Sequence, residues 1–172
     1  MDGIRLVELL AGDGKKADEL ASLAREIWLE HYTPIIGADQ VEYMLSKYQS
    51  GSSILNDICS NGYRYFMAYD GLKPVGYFAV RQENDKKALF LSKLYVEKNN
   101  RGRGISRLMQ GRMLMIAREA HLDHIWLTVN KHNDNSINIY KKLGFRIVEE
   151  LVTDIGSGYV MDDYKMRLDM AP

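Results

Sequence analysis

The sequence predicts a single α/β domain with a mixed central sheet of about seven strands, flanked by helices on both faces. Three observations predict it: seven short segments have the apolar pattern of strands, other stretches have helical periodicity, and the two kinds are interleaved along the chain. Hairpin turns make some strand pairs antiparallel, whereas a long helix joins the fourth strand to the fifth and makes that pair parallel. A length of 172 residues is typical of one domain.

The predicted strands are separated by turn residues. The dipeptide Asp70-Gly71 favours a hairpin between the second and third strands, and Ile155-Gly156-Ser157-Gly158 forms the turn before the last strand. In chain order, the predicted strands are Ile4–Leu9, Tyr63–Tyr69, Pro74–Arg81, Ala88–Val96, Ile125–Val129, Gly144–Thr153 and Tyr159–Leu168.

Apolar residues at helical spacing predict a first helix over Gly14–Glu30. This helix should break at His31–Pro34, because proline disfavours helical geometry in the residue before it. Residues 39–60 predict one or two further helices, interrupted near Gly51. The last two predicted helices are Gly104–Ala120 and Asn133–Leu143.

The composition argues against several classes of function. The 23 Lys and Arg residues balance the 23 Asp and Glu residues, so the chain has no overall basic field for nucleic acid. A single cysteine, Cys59, excludes an internal disulfide and a cysteine-rich zinc module. The four histidines show no HExxH pattern, and we expect no metal site. No apolar stretch has the length of a membrane span or the pattern of a signal peptide, so we expect a cytoplasmic protein without a membrane partner.

The most informative segment is the junction between the fourth strand and the next helix, residues 94–107. Gly102 and Gly104 indicate a tight turn at the start of the helix, where unpaired backbone N–H groups can hold a phosphate. Arg101, Arg103 and Arg107 add positive charge. The same pattern also suits a glycine-containing turn with a solvated basic face. The P-loop and dinucleotide-binding patterns do not fit, because the glycine spacing differs.

Two motifs in this order resemble the GNAT superfamily of acyl-CoA-dependent N-acetyltransferases. The first, Asn99-Asn100-Arg101-Gly102-Arg103-Gly104, resembles the Gln/Arg-x-x-Gly-x-Gly/Ala turn, with Asn99 at its first position. The second, Asn133 to Phe145, resembles an Asn-containing helix that ends in Tyr-x-x-x-Gly-Phe. The resemblance covers essentially the whole chain. It implies one N-acetyltransferase domain over residues 1–172, with a splayed opening in the sheet.

The resemblance also implies acetyl-CoA as the donor. The backbone of Leu94, Tyr95 and Val96 would pair with the pantetheine arm, and the amides of residues 101–106 would hold the pyrophosphate. Asn133 suits a helix N-cap as well as it suits a cofactor contact. The implied coenzyme-binding residues are Leu94, Tyr95, Val96, Arg101, Gly102, Arg103, Gly104, Ile105, Ser106, Arg107, Asn133, Ser136, Tyr140 and Lys142.

Tyr140 is the catalytic residue that the resemblance implies, as the acid that protonates the departing coenzyme A thiolate. The alternative is a core tyrosine packed before Gly144-Phe145. The general base stays open: the fourth strand lacks the glutamate that many relatives carry, and Glu97 lies beyond it. His31 or a chain of water molecules could serve.

The resemblance places the acceptor between the first helices and the last hairpin, at His31, Tyr32, Asp162 and Asp163. The ending Met161-Asp162-Asp163-Tyr164 looks like the bacterial spermidine/spermine acetyltransferase branch, whose polycationic amine would suit carboxylates and aromatic rings. A solvated strand end is the alternative.

We therefore expect transfer of an acetyl group to a primary amine of a small molecule, by direct attack of the deprotonated amine on the thioester. Two alternatives stay open: a peptide or protein N-acetyltransferase, and a coenzyme-A-binding sensor without activity. Members of the family often form homodimers, and nothing in the sequence decides the oligomeric state.

Overall fold

The computed structural model describes residues 3–171. Its strands are β1 (Ile4–Leu9), β2 (Tyr63–Asp70), β3 (Lys73–Glu83), β4 (Ala88–Val96), β5 (His124–Asn130), β6 (Arg146–Gly156) and β7 (Tyr159–Asp169). Its helices are α1 (Gly14–Ile36), α2 (Ala38–Tyr48), α3 (Gly51–Ser60), α4 (Ile105–Glu119) and α5 (Asp134–Lys142), with short 3-10 turns at Asn84–Lys86 and Lys98–Asn100.

The seven strands form one open, mixed sheet in the order β1-β2-β3-β4-β5-β7-β6. The ladders of β1 with β2, β2 with β3, β5 with β7 and β6 with β7 are antiparallel. The ladder of β4 with β5 is parallel and pairs Ala88–Phe90 with His124–Trp126. The predicted fold class is confirmed, including the antiparallel hairpins and the parallel crossover.

Contacts divide the chain into two compact units. The first unit contains residues up to 81 and residues 93–109. In its core, the apolar face of α1 packs with Ile54 of α3 and with the tyrosines and Met67 of β2 and β3. The α1 residues in this core are Ala17, Leu20, Leu23, Ala24 and Ile27. Their recurrence at three- and four-residue steps explains why this segment is a helix with one buried face.

The second unit contains residues 82–92 and residues from 110 onward. Ile125, Leu127 and Met166 are buried in it, and the rings of Phe90 and Trp126 stack with centroids 4.3 Å apart. Strand β6 is mostly exposed along its length. The unit therefore has an inner strand pair, β5 and β7, and an outer edge strand, β6.

The predicted break of the first helix at His31–Pro34 is wrong. Helix α1 continues to Ile36 with Pro34 inside it. Pro34 lies in the last turn, so its missing N–H removes only one hydrogen bond near a helix end. The helix stops at Gly37, whose φ of 84° is in the region that favours glycine. His31 and Tyr32 are consequently helical residues rather than loop residues.

Candidate active site

The turn after β4 presents a row of backbone amides. Gly102 and Gly104 have φ values of 77° and 78°, a conformation that side chains rarely tolerate. Within residues 3–171, no backbone carbonyl accepts a hydrogen bond from the amides of residues 102–106. Along α4, the amide of Arg107 is the first to donate, to the carbonyl of Gly104 at 3.1 Å. Five amides at the start of a helix fit a pyrophosphate group.

The three arginines of this turn differ in their partners. Arg101 donates from Nε to the carbonyl of Val96 at 3.1 Å, which closes the turn, and from Nη2 to Glu30 Oε2 at 3.0 Å. Arg103 donates to Asp70 Oδ2 at 2.7 Å and also contacts Asn100 Oδ1. Arg107 is exposed and has no ion pair in the described part of the chain. Carboxylates therefore offset part of the predicted positive charge.

The Gln/Arg-x-x-Gly-x-Gly/Ala pattern also fits this turn in a second register. When Arg101 takes the first position, Gly104 takes the fourth, and Ser106 stands where glycine or alanine is usual. The side chain of Asn99 instead donates to Glu97 Oε1 at 3.1 Å. We favour the second register, because Arg101 is the residue whose side chain ties the turn to β4.

The end of β4 is held close to β3. A Cβ at Gly76 would lie 2.7 Å from the carbonyl oxygen of Tyr95, closer than any side chain permits. The amide of Glu97 donates to the carbonyl of Val75 at 2.9 Å, which fixes the last residues of the strand. The β4–β5 ladder stops at Phe90, so Leu94, Tyr95 and Val96 lie beyond it.

Aromatic side chains of α1 meet those of β3 and β4 in the first unit. We call Trp28, His31, Tyr32, Tyr77 and Tyr95 the aromatic cluster. The ring of Tyr32 lies 4.5 Å from that of Trp28 and 4.8 Å from that of His31, and its hydroxyl lies 3.4 Å from that of Tyr95. The structure thus brings Tyr32, predicted for the acceptor, to Tyr95, predicted for the donor, while His31 packs against Tyr32. Sequence reasoning missed Trp28 and Tyr77, although Trp28 and Tyr32 have the four-residue spacing of one helix face.

A second feature that sequence reasoning missed is a buried polar network on β4. The side chain of Lys93, 8% exposed, donates from Nζ to Tyr65 Oη at 2.8 Å and lies 3.8 Å from Asp57 Oδ2. The hydroxyl of Tyr65 donates in turn to Asp57 Oδ2 at 2.6 Å. Burial lowers the pKa of Lys93 to about 8, against the opposing effect of Asp57. Burial and the hydrogen bond to Asp57 raise the pKa of Tyr65.

Helix α5 positions the predicted coenzyme residues of the second unit. Asn133 is its N-cap, and the Asn133 side chain accepts from the amide of Ser136 at 3.2 Å. The structural role of Asn133 is therefore present, and its side chain is buried. Ser136 and Tyr140 are half-buried one turn apart, and the Tyr140 ring meets that of Phe145 edge-on at 5.7 Å. Lys142 is exposed at the helix end.

The two adjacent aspartates of β7 have different environments. Lys131 Nζ lies 2.7 Å from Asp162 Oδ1 and 2.9 Å from Glu150 Oε2, and these hydrogen bonds raise the pKa of Lys131. Asp163 is 5% exposed, and within residues 3–171 its Oδ1 has no hydrogen-bond partner. Burial raises the pKa of Asp163 to about 6, which a contact with the Thr128 hydroxyl partly opposes.

No group of three or more His, Cys, Asp or Glu side chains in residues 3–171 could hold a metal ion. No helix in the same range is long and apolar enough to cross a membrane.

A row of amides without backbone acceptors in the described residues, at a helix start after the fourth strand of an open mixed sheet, fits the pyrophosphate of a coenzyme. The chain belongs to the acetyltransferase (GNAT) family, whose model matches residues 20–145. It is 24% identical over 163 residues to an uncharacterized N-acetyltransferase in the pepI 3′ region of Lactobacillus delbrueckii subsp. lactis, with 91% of this chain and 92% of that protein covered.

Two solved structures have the same fold. The PaiA N-acetyltransferase of Thermoplasma acidophilum, in complex with coenzyme A, superposes with a TM-score of 0.79 at 20% identity, covering 97% of this chain and 99% of that one. The spermidine N-acetyltransferase of Vibrio cholerae, in complex with coenzyme A and spermine, has a TM-score of 0.65 at 17% identity, covering 98% of this chain and 96% of that one. The expected enzyme class and the acetyl-CoA donor are confirmed.

Proposed function

We propose that the enzyme acetylates a primary amine of a small molecule, with a polyamine as the first candidate. The observation that carries the proposal is the aromatic cluster, in which Tyr32 packs against Trp28 and reaches the hydroxyl of Tyr95. Aromatic faces attract ammonium groups, and tyrosine hydroxyls can accept their hydrogen bonds. The similarity in fold to a protein named for spermidine supports the same acceptor class.

The donor is held in this proposal by the turn after β4 and by the strand before it. The amides of residues 102–106 bind the pyrophosphate, and Arg107 is available to the phosphates because no carboxylate in the described residues pairs with it. The backbone of Leu94, Tyr95 and Val96 pairs with the pantetheine arm. In this proposal the acetyltransferase domain spans residues 1–172. Ser136 and Lys142 are further candidates for coenzyme contacts.

Tyr140 is proposed as the acid. Acetyl-CoA supplies a thioester whose carbonyl carbon forms the new C–N bond while its C–S bond breaks. The phenol of Tyr140 donates its proton to the sulfur as negative charge develops there, which stabilises the leaving thiolate. Helix α5 holds this ring through the edge-on contact with Phe145, and the amide of Phe145 donates to the carbonyl of Tyr140 at 3.0 Å.

The test is acetyl-CoA-dependent thiol release by the purified protein, against polyamines, amino acids, aminoglycosides and short peptides. We expect turnover with spermidine or spermine. Tyr140→Phe should lower kcat about 100-fold with little change in the KM for acetyl-CoA, because it removes one donor to a developing charge. Tyr159→Phe, at the start of β7, is the matched control and should retain full activity.

The outcomes separate the alternatives. Turnover with peptides alone would replace the small-molecule acceptor by a peptide or protein. Binding of acetyl-CoA without thiol release on every acceptor would favour the sensor. Full activity of Tyr140→Phe would remove the acid role of Tyr140 and leave the acceptor assignment intact.

A further inference from the structure

An ion pair joins the C-terminal part of α1 to the turn after β4, within the first unit. Glu30 of α1 accepts from Arg101 Nη2 at 3.0 Å through its Oε2, and its Oε1 lies 3.4 Å from Lys98 Nζ. Partial burial raises the pKa of Glu30, but the charge of Arg101 and the hydrogen bonds from Lys98 and Arg101 outweigh this effect and lower the pKa below its ordinary value. Glu30 is therefore ionised at neutral pH, with both oxygens engaged by cations of the turn.

The guanidinium of Arg101 also holds the end of β4. Its Nε donates to the carbonyl of Val96, the last residue of the strand, at 3.1 Å. Gly102, where the row of amides begins, directly follows Arg101 in the chain. A guanidinium is planar and its donors are fixed relative to one another, so its two hydrogen bonds set the orientation of their acceptors. One side chain thus joins α1, the end of β4 and the start of the amide row.

The aromatic cluster is carried by the same stretch of α1. Trp28 and Tyr32 lie two residues before and two residues after Glu30, and the Tyr32 hydroxyl lies 3.4 Å from that of Tyr95, the residue before Val96. Helix α1 therefore meets the end of β4 at two points, through the hydroxyl contact and through the ion pair. A separation of 3.4 Å is long for a hydrogen bond between hydroxyl groups, so the ion pair is the firmer of the two links.

We propose that Glu30 is a positioning residue, which holds the aromatic cluster of α1 against the coenzyme turn by binding Arg101. The proposal rests on the proposed function, in which the cluster binds the amine. Without the ion pair, the cluster is assembled in a smaller fraction of the molecules, and the apparent affinity for the amine falls by that fraction. The chemical step in the assembled molecules is unchanged. The affinity for acetyl-CoA does not fall, because Arg101 loses a competing carboxylate and stays beside the amide row.

The test is the KM for the best amine of the panel at saturating acetyl-CoA, in the wild type, Glu30→Gln, Arg101→Gln and the double variant. Each single change should raise this KM about fivefold, at the upper end for a partly exposed ion pair, with kcat within about twofold of the wild type. The double variant should also show about a fivefold rise, because the two residues act as one unit. The Kd of Glu30→Gln for acetyl-CoA should not rise.

Glu26→Gln is the matched control. Glu26 lies on α1 one turn before Glu30, is exposed and has no ion pair in the described residues. The KM of this variant for the amine should equal that of the wild type.

Three kinetic results would overturn the proposal and leave the proposed function standing. An unchanged KM in Glu30→Gln would show that the ion pair has no part in amine binding. A rise in Glu30→Gln without a rise in Arg101→Gln would show that Glu30 binds the ammonium directly. A rise of about 25-fold in the double variant would show that the two residues act independently.

Hydrogen exchange tests the same link without an acceptor. In the free protein, the amides in the last turn of α1 should exchange about fivefold faster in Glu30→Gln than in the wild type or Glu26→Gln. Equal exchange in all three proteins, or faster exchange throughout the first unit with a lower Tm, would refute the positioning role. If the wild type acetylates no small amine, the proposed function fails, and the exchange rates decide the role of Glu30.

Discussion

Lys93 and Asp163 are both buried and both ionisable, yet their surroundings are opposite. In the first unit, Lys93 donates to the hydroxyl of Tyr65, and Asp57 lies 3.8 Å away as a counter-charge. In the second unit, the Oδ1 of Asp163 has no hydrogen-bond partner in the described residues. Burial shifts both pKa values in the direction that favours the neutral form. It lowers the pKa of Lys93 to about 8 and raises that of Asp163 to about 6. Within residues 3–171, Lys93 has an opposite charge within 4.0 Å that offsets its burial, and Asp163 has none.

The contrast separates a buried charge that the fold pairs from a buried charge that it does not pair. A closed network such as Lys93, Tyr65 and Asp57 satisfies its members and holds a strand in place. Asp163 is buried without an ion pair in the described residues, so its charged form lowers the stability of the fold at neutral pH. The two groups should therefore respond oppositely when their charges are removed.

The largest expected effect is on the pH dependence of stability. The folded-state pKa of Asp163, about 6, lies above its unfolded value of about 4, so the folded protein binds more protons between these values. The contribution of Asp163 to the free energy of unfolding is therefore present at low pH and lost as pH rises through about 6. Between about pH 4 and 7 the loss should be about 2 kcal/mol.

Urea unfolding at a series of pH values measures this effect. In Asp163→Asn the loss should be absent, so the free energies of unfolding of variant and wild type should diverge as pH rises. If the free energies of unfolding of the two proteins change in parallel with pH, Asp163 has a partner in the fold and does not differ from Lys93 in this respect.

The next effect compares one chemical change at two positions. Asp57→Asn removes the counter-charge of Lys93 and leaves a buried ammonium, so it should lower the free energy of unfolding at neutral pH by about 1 to 2 kcal/mol. The side chain of Asp57 is 20% exposed, which keeps the loss below that of a fully buried pair. Asp163→Asn should have no such cost, because it removes a buried charge that has no ion pair in the described residues. Equal losses of stability in both variants would show that the two sites are alike.

Local patterns predicted most of the fold. Alternation over Ile4–Leu9 and the Asp70-Gly71 turn gave strands and a hairpin close to those observed. The helix break predicted from Pro34 is wrong, because the effect of a proline depends on its distance from the helix end. Helix α1 ends at Gly37, three residues after Pro34. Packing of Trp28 and Tyr32 also favours helical geometry up to this point, and such packing is invisible to a local rule.

The candidate site was predicted less completely, because its properties depend on residues far apart in the sequence. The glycine turn was visible locally, whereas the pairing of Arg101 with Glu30 joins residues 71 positions apart. The network of Lys93 joins α3 to β4 and has no sequence motif. The sequence predicts Asp162 and Asp163 together as acceptor residues. Adjacent residues of a strand point to opposite faces of the sheet, and the sequence alone does not show which of the two faces is buried. Burial of one and pairing of the other became visible only with the strands in place.

The most direct measurement is an NMR titration of the side-chain carboxyl carbons in the wild type, with Asp163→Asn to assign the resonance of Asp163. We expect a pKa of about 6 for the free protein. Spermidine should lower this pKa, because an ammonium beside the carboxylate favours its charged form. A pKa at or below the ordinary value of about 4, unchanged by spermidine, would contradict the account, since it would mean that the fold itself already compensates this charge.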